Sequence, residues 1–277
     1  MIYAIVNQKG GTGKTTTAVN LGAAWAEMGA RVLILDLDPQ AHATLHLSVT
    51  VQEDTPTIYT ALHDDVMGRR LPDPLAPAGA AQAGEAVTLA ACIRRAGKDA
   101  LDVVPSSLDL AQADLELNMV FDRERRLARL LAPVAAEYDA VLLDCPPYLG
   151  LLTVNALAAA QRVIVPLSAD FLSMQGLRAL VRTILQVSSD LNYRLALEGV
   201  LLTRVERTAM ARAVEADVRQ ALDGSGVGRV FQTTIPKNVD IAEAAANRSS
   251  VLVYSPRSLG AEAYRALAQE IGRPRRG

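Results

Sequence analysis

The sequence predicts a single α/β domain: a mostly parallel, twisted sheet with helices on both faces. Three observations predict it. Short runs at residues 2–6, 31–36, 101–104, 140–144, 162–166 and 197–203 alternate with longer stretches of helical periodicity. These runs are apolar almost throughout instead of in every second position, as in strands covered on both faces by crossover helices. At 277 residues, 50% of them hydrophobic, the chain can bury one large core without dividing.

The first strand, 2–6, runs directly into Gln8-Lys-Gly-Gly-Thr-Gly-Lys-Thr-Thr-Thr17, and a helix follows over 15–28, ended by Gly29. A glycine-rich turn between strand and helix is a phosphate-binding loop. Gly10, Gly11 and Gly13 let backbone N–H groups converge on phosphate oxygens, and the helix adds its positive N-terminal end. In that arrangement Lys14 reaches the terminal phosphates and the Thr15 hydroxyl faces Mg²⁺. The usual pattern begins with glycine where this chain has Gln8, and a second lysine, Lys9, follows it.

The second strand ends in Leu35-Asp-Leu-Asp-Pro-Gln40, which puts two carboxylates at the C-terminal edge of the sheet, where open α/β folds bind ligands. Period-two alternation points Asp36 and Asp38 to one side. A third carboxylate, Asp144, ends the run 140–144 before Cys145-Pro-Pro147, in the form of a Walker B aspartate that holds Mg²⁺ directly or through water. One strand-terminal aspartate is often only a helix cap. Three of them beside a phosphate loop describe a nucleotide site.

Helices are expected over 121–136, 173–191, 208–222 and 258–271. The Pro-, Ala- and Gly-rich stretch 68–86 reads as an exposed loop, 224–228 as a turn, and 273–277 as a frayed basic tail after a domain spanning 1–272. Composition excludes several classes. Cys92 and Cys145 lack the spacing of a disulfide, zinc or iron–sulfur framework and read as reduced thiols, Cys145 as a packed small residue. His42, His46 and His63 fall outside the motifs, and His42 and His46, four apart without a third ligand, read as surface residues. No stretch approaches the ~18 apolar residues of a membrane span, and no signal sequence precedes Ile2, so a cytoplasmic protein is expected. The formal charge of −2 announces no polyanion partner. Of the four lysines, Lys9, Lys14, Lys98 and Lys237, two stand in the phosphate loop.

Lys9-Gly-Gly-Thr-Gly-Lys-Thr-Thr16 resembles the deviant Walker A motif of the ParA/MinD group of P-loop ATPases, and Asp36-Leu-Asp-Pro-Gln40 resembles its Walker A′ motif. Pro105-Ser-Ser-Leu-Asp-Leu-Ala111, Asp144-Cys-Pro-Pro-Tyr-Leu-Gly-Leu-Leu-Thr153, Ile235-Pro-Lys-Asn-Val239 and Tyr254-Ser-Pro-Arg-Ser-Leu-Gly-Ala-Glu-Ala-Tyr264 extend the resemblance, on the Soj-like partition branch, to nearly the whole chain. The resemblance implies a single-domain P-loop NTPase fold with ATP and Mg²⁺ as cofactors. It implies that Lys9, Gly10, Gly11, Thr12, Gly13, Lys14, Thr15 and Thr16 hold the nucleotide, and that Lys9 is the signature lysine reaching across a sandwich homodimer. Asp38 would position the attacking water, with Thr15, Asp36 and Asp144 organising the metal and Pro236 and Asn238 near the adenine.

Members of this branch typically bind double-stranded DNA without sequence preference as ATP dimers, and a ParB-like adaptor stimulates hydrolysis that is weak without it. The resemblance therefore implies a nucleoid-associated ATPase for chromosome or plasmid partition. Arg204, Arg207, Arg212 and Arg219, with Arg273, Arg275 and Arg276 of the tail, are the candidates for DNA; Glu206, Glu215 and Asp217 among them also suit a solvated face. Three departures bear on partner and cargo: Ala41-His-Ala-Thr44 where relatives often have Gly-Asn-Ala-Thr, Asp240 where they often have Arg, and Glu243-Ala-Ala-Ala246 for Glu-Ala-Pro-Ser. A ParA-like carrier of non-DNA cargo and a MinD-like membrane-cycling regulator are the alternatives. The latter needs a strongly amphipathic C-terminal helix, and 261–271 offers only a weak apolar face.

Overall fold

Seven strands form one sheet: β1 (Ile2–Ile5), β2 (Val32–Asp36), β3 (Arg94–Ala96), β4 (Leu101–Val104), β5 (Ala140–Asp144), β6 (Arg162–Ser168) and β7 (Ala196–Thr203), in the order β3-β4-β2-β5-β1-β6-β7. Every neighbouring pair is parallel except β3 with β4. The computed structural model describes residues 1–67, 86–168, 173–206, 208–223 and 226–275. The loop expected over 68–86 therefore lies almost wholly outside the described residues, as do Arg207, Arg276 and the start of the 224–228 turn.

Period-two alternation divides the strands between two cores. Ile2, Ala4, Leu33, Leu35, Val141 and Leu143 face one side, and Tyr3, Ile5, Val32, Ile34, Ala140 and Leu142 face the other. In chain order the helices are α1 (Lys14–Glu27), α2 (His42–His46), α3 (Ile58–Val66), α4 (Leu89–Cys92), α5 (Ala113–Leu117), α6 (Arg126–Ala135), α7 (Leu151–Ala159), α8 (Ser173–Asp190), α9 (Ala209–Asp223), α10 (Val239–Ala246), α11 (Val251–Tyr254) and α12 (Leu259–Ile271). Helices α3, α6, α7 and α8 cover the first face; α1, α11 and α12 cover the second. Both faces are thus sealed, which is why the strands read as continuous apolar runs.

Several elements escaped the sequence pattern for physical reasons. The edge strand β3 is three residues long and two of them are arginines, a composition that blunts an edge and hides a strand. Helix α7 is apolar on nearly every side, so no amphipathic period marks it. The helix expected from 121 starts at Arg126, because Asp122 at φ 54° diverts the chain through a 3₁₀ turn first. The basic tail also begins docked: Arg273 Nη2 donates to Gly29 O at 2.7 Å, and Pro274 is buried. Helix α12 buries Ala261, Tyr264, Leu267 and Ala268, so its apolar face is already occupied. Among the described residues, no helix is long and apolar enough to cross a membrane.

Strand β1 lies between β5 and β6, so the loop after β1 emerges at the middle of the sheet's C-terminal edge. The ends of β2 and β5 are neighbours in register, Asp36 opposite Asp144.

Candidate functional site

The loop between β1 and α1 is held from both sides before it meets any ligand. Asn7 Nδ2 donates to Pro166 O on β6 at 2.7 Å, and Thr203 Oγ1 on β7 donates to Thr12 O at 2.8 Å. Asn7 Oδ1 accepts from Lys9 N at 3.0 Å, and Thr12 Oγ1 donates to Lys9 O. Gly11 and Gly13 take φ of 73° and 85°, which a side chain resists and which suits the successive backbone turns of an anion-binding nest. Asn7 and Thr203 carry no motif signature, and sequence reasoning passed over both.

Lys14 is buried under this arch, and its Nζ donates to Lys9 O at 3.2 Å. Burial lowers its pKa, while Asp144, Cys145 and Asp38 act in the opposite sense. A buried ammonium with one backbone partner is prepared for an anion. The Lys9 side chain, by contrast, is exposed and has no ion-pair partner among the described residues.

The three carboxylates prove unlike one another. Asp36 is wholly buried but supplied with donors: Oδ1 accepts from Asp38 N at 3.2 Å, and Oδ2 accepts from Thr44 N at 2.8 Å and Thr44 Oγ1 at 2.7 Å. Burial pushes its pKa up to about 6 against these donors. Asp38 lies beyond the end of β2 in a turn, where its Oδ1 accepts from Gln40 N at 3.0 Å and its carbonyl from Ala41 N. Asp144 is also wholly buried, yet neither oxygen accepts a well-formed hydrogen bond. Burial first, then the facing Asp36, raise its pKa well above the carboxylate range, and Thr15 and Lys14 pull it back only in part.

Such an orphaned carboxylate beside Thr15 suits a small hard cation. Among the described residues no group of three or more His, Cys, Asp or Glu gathers as a metal cage. That fits Mg²⁺, which takes one or two protein oxygens and completes its shell with phosphates and water. Asp36, also expected to organise the metal, already accepts three hydrogen bonds from Thr44 and Asp38, so its direct contacts are with protein.

Two cavities meet over the loop, each of about 550 Å³. One is lined by Lys14, Thr15, Asp38, Gln40 and Pro147; the other by Arg204, Ile235, Pro236, Asn238 and Tyr264; Gly11, Gly13 and Thr16 line both. Asn238 Oδ1 caps α10 by accepting from Ile241 N at 3.3 Å, and Asn238 also lines the second cavity. His42 and His46 line the first cavity, and His46 corrects the surface reading: it is buried, with Nε2 3.0 Å from Ser249 O. That carbonyl can only accept, so Nε2 carries the proton. His63 pairs with Glu116 at 3.0 Å, away from both cavities. Cys92 and Cys145 are free and buried, and burial raises the Cys145 thiol pKa, so it is not poised as a nucleophile.

The arginines separate as well. Arg204 is exposed at φ 54° in the wall of the second cavity, and Arg212 is exposed on α9. Arg219 is half-buried and held by protein acceptors. Its Nε and Nη2 donate to Glu215 Oε1 at 3.0 and 2.8 Å, Nη2 also to Phe231 O at 3.0 Å, and Nη1 to Val230 O at 3.4 Å.

A family model described as an AAA domain matches residues 1–197. The chain is 40% identical over 271 residues to the sporulation initiation inhibitor protein Soj of Bacillus subtilis, spanning 98% of this chain and 97% of Soj. It is also 40% identical over 271 residues to the chromosome partitioning protein ParA of Myxococcus xanthus, spanning 98% and 87%. A Mycobacterium smegmatis structure described as cobyrinic acid a,c-diamide synthase with bound ATP analog and magnesium shares the fold at a TM-score of 0.77 and 34% identity, covering 97% of this chain and 92% of that one. With a glycine arch over a buried lysine, carboxylates at the ends of β2 and β5, and relatives matched along its length, this chain belongs to the ParA/MinD family of P-loop ATPases, among the Soj and ParA partition proteins.

Proposed function

We propose that the protein is an ATP-switched partition ATPase: ATP and Mg²⁺ build a sandwich dimer that holds nonspecific DNA, and partner-stimulated hydrolysis dissolves it. The observation that carries the reading is the pair of unpartnered Asp144 oxygens beneath the glycine arch, beside Thr15 and Lys14. A folded protein keeps such a group where a ligand completes it.

In this reading Lys14 and the N–H groups of Gly10 to Thr16 hold the β- and γ-phosphates, and Thr15 and Asp144 hold Mg²⁺. Bound there, Mg²⁺ supplies neutralisation of phosphate charge. Asp38 orients the attacking water from its turn, while Asp36 holds the Asp38 N–H. Pro236 and Asn238, in the wall of the second cavity, receive the adenine. The exposed, unpaired Lys9 meets the nucleotide of the second subunit, so the γ-phosphate rewards the dimer and its loss weakens it. Arg204 and Arg212 offer cations to DNA phosphates, and dimerisation doubles their number. The protein then works on the nucleoid, and its stimulating partner is a ParB-like adaptor bound to the cargo.

The test measures binding to unrelated duplex DNA with ATP, ADP or no nucleotide across a salt series, alongside oligomeric state by light scattering. Wild type is expected to dimerise and bind DNA with ATP alone, with affinity falling as salt rises. Lys14→Ala should lose nucleotide and DNA together. Lys9→Ala should keep ATP but remain monomeric, and Asp38→Ala should stay on DNA longer. Wild type that ignores DNA at low salt and instead sediments with anionic vesicles would replace this reading with membrane cycling.

A further inference from the structure

We infer that Thr44 is the positioning residue for hydrolysis, setting where Asp38 stands by holding Asp36. The inference rests on the reading above, in which Asp38 orients the attacking water. Thr44 sits at the third position of α2, 1% exposed, and meets Asp36 Oδ2 twice, through its N–H at 2.8 Å and its hydroxyl at 2.7 Å.

The direction of the hydroxyl is forced. Ser106 N, which can only donate, lies 3.0 Å from Thr44 Oγ1, so that oxygen accepts from Ser106 and its single proton goes to Asp36. The other oxygen of Asp36 takes Asp38 N at 3.2 Å. One unbroken chain therefore runs from the loop after β4, through Ser106, Thr44 and Asp36, to the backbone of Asp38. Each link is buried, so water cannot replace a lost donor. Asp36 is thereby fixed at both oxygens, and the turn carrying Asp38 hangs from it. Nothing else among the hydrogen bonds of the described residues ties the Asp38 N–H.

Thr44 also explains a feature the motif leaves open. Ala41, at the head of α2, adopts φ 54° with no side-chain cap, an unfavourable start for a five-residue helix. The Asp36 carboxylate supplies the missing acceptor to Thr44 N, so the helix start and the placement of Asp38 depend on the same group.

The test compares wild type, Thr44→Val and Thr44→Ser. Valine keeps the shape and removes only the hydroxyl. Thr44→Val is expected to lower kcat for ATP hydrolysis on the order of 10- to 100-fold, the scale of a reacting group displaced by a fraction of an ångström to an ångström. Affinity for a fluorescent ATP analogue should change less than about threefold, since Lys14 and the glycine arch are untouched. Thr44→Ser should restore kcat. In nucleotide-free protein, amide hydrogen exchange at residues 38–44 should quicken in Thr44→Val and return to the wild-type rate in Thr44→Ser. Equal kcat in Thr44→Val and wild type overturns the inference, as do parallel losses of kcat and nucleotide affinity, failure of serine to rescue, or unchanged exchange. Wild type that binds the nucleotide without ever hydrolysing it overturns the underlying reading, and this one with it.

Discussion

Replacing Asp144 by asparagine should make the metal-free protein more stable while removing most of what Mg²⁺ and nucleotide add. Both Asp144 oxygens are buried without a good donor, and Asp36 faces them across the β2–β5 ladder. A buried polar group left unmatched costs roughly 1–3 kcal/mol, more when charged. Asparagine keeps the shape and a polar amide but drops the charge, so the gain is set at the low end, about 1–2 kcal/mol. In a chain of this size, 1 kcal/mol moves Tm by roughly 2–4 °C, which gives a rise of about 2–8 °C.

Linkage adds a second signature. The folded pKa of Asp144 is raised, so the native state retains a proton that the unfolded chain releases above its ordinary pKa of 3.8. Stability contributed by this group is therefore full below that value and is lost as pH rises toward the folded pKa. The variant should lose less stability than wild type over this interval. The assay is thermal melting followed by circular dichroism, in EDTA and then in Mg²⁺ with excess ADP. Ligand at a hundred times Kd contributes about 2.7 kcal/mol to wild type. Asp144→Asn should forgo most of that. A variant that melts below wild type in EDTA would refute the argument, because it would mean that the carboxylate is satisfied in the empty protein.

Arg219→Ala should lower stability by about 1–2 kcal/mol in urea denaturation, through loss of the contacts to Val230 O and Phe231 O, and leave salt-dependent DNA retention unchanged. Loss of DNA binding at unchanged stability would put Arg219 on the DNA face. His46 carries a pH effect of the other sign from Asp144. Burial lowers its folded pKa, so below about pH 6.5 the unfolded chain takes a proton that the native ring refuses, and stability falls as pH drops toward the folded value. His46→Gln should therefore lose less stability than wild type between pH 7.5 and 5, read from urea midpoints; equal losses would mean that the ring takes its proton while folded.

Much of this site was legible in the sequence because its logic is local. The glycines, Lys14 and Thr15 act through backbone geometry that a ten-residue window contains, and the doubly covered strands announced themselves as unbroken apolar runs. What the sequence concealed lies in contacts between distant segments. Asn7 reaches Pro166, Thr203 reaches Thr12, and His46 reaches Ser249, pairs separated by 159, 191 and 203 positions. Arg219 looked like a cation offered to solvent until its partners, Val230 and Phe231, were placed beneath it.

The carboxylates make the sharper case. Asp36, Asp38 and Asp144 look interchangeable as strand-end aspartates, and the alternation that sets Asp36 and Asp38 on one side invites a shared task. The task is divided by what donors the fold delivers to each. Thr44 and the Asp38 N–H bring three donors to Asp36, which suits it to hold protein; Asp144 receives no comparable donor, which suits it to a ligand. A motif records that an acid stands at the edge of the sheet, and only the neighbouring chain decides how many donors that acid receives. By this reasoning the residue to watch in comparing relatives is Thr44 as much as the aspartates themselves, since a chain that lost its hydroxyl would keep every acid of the motif and still free Asp36 to compete with Asp144.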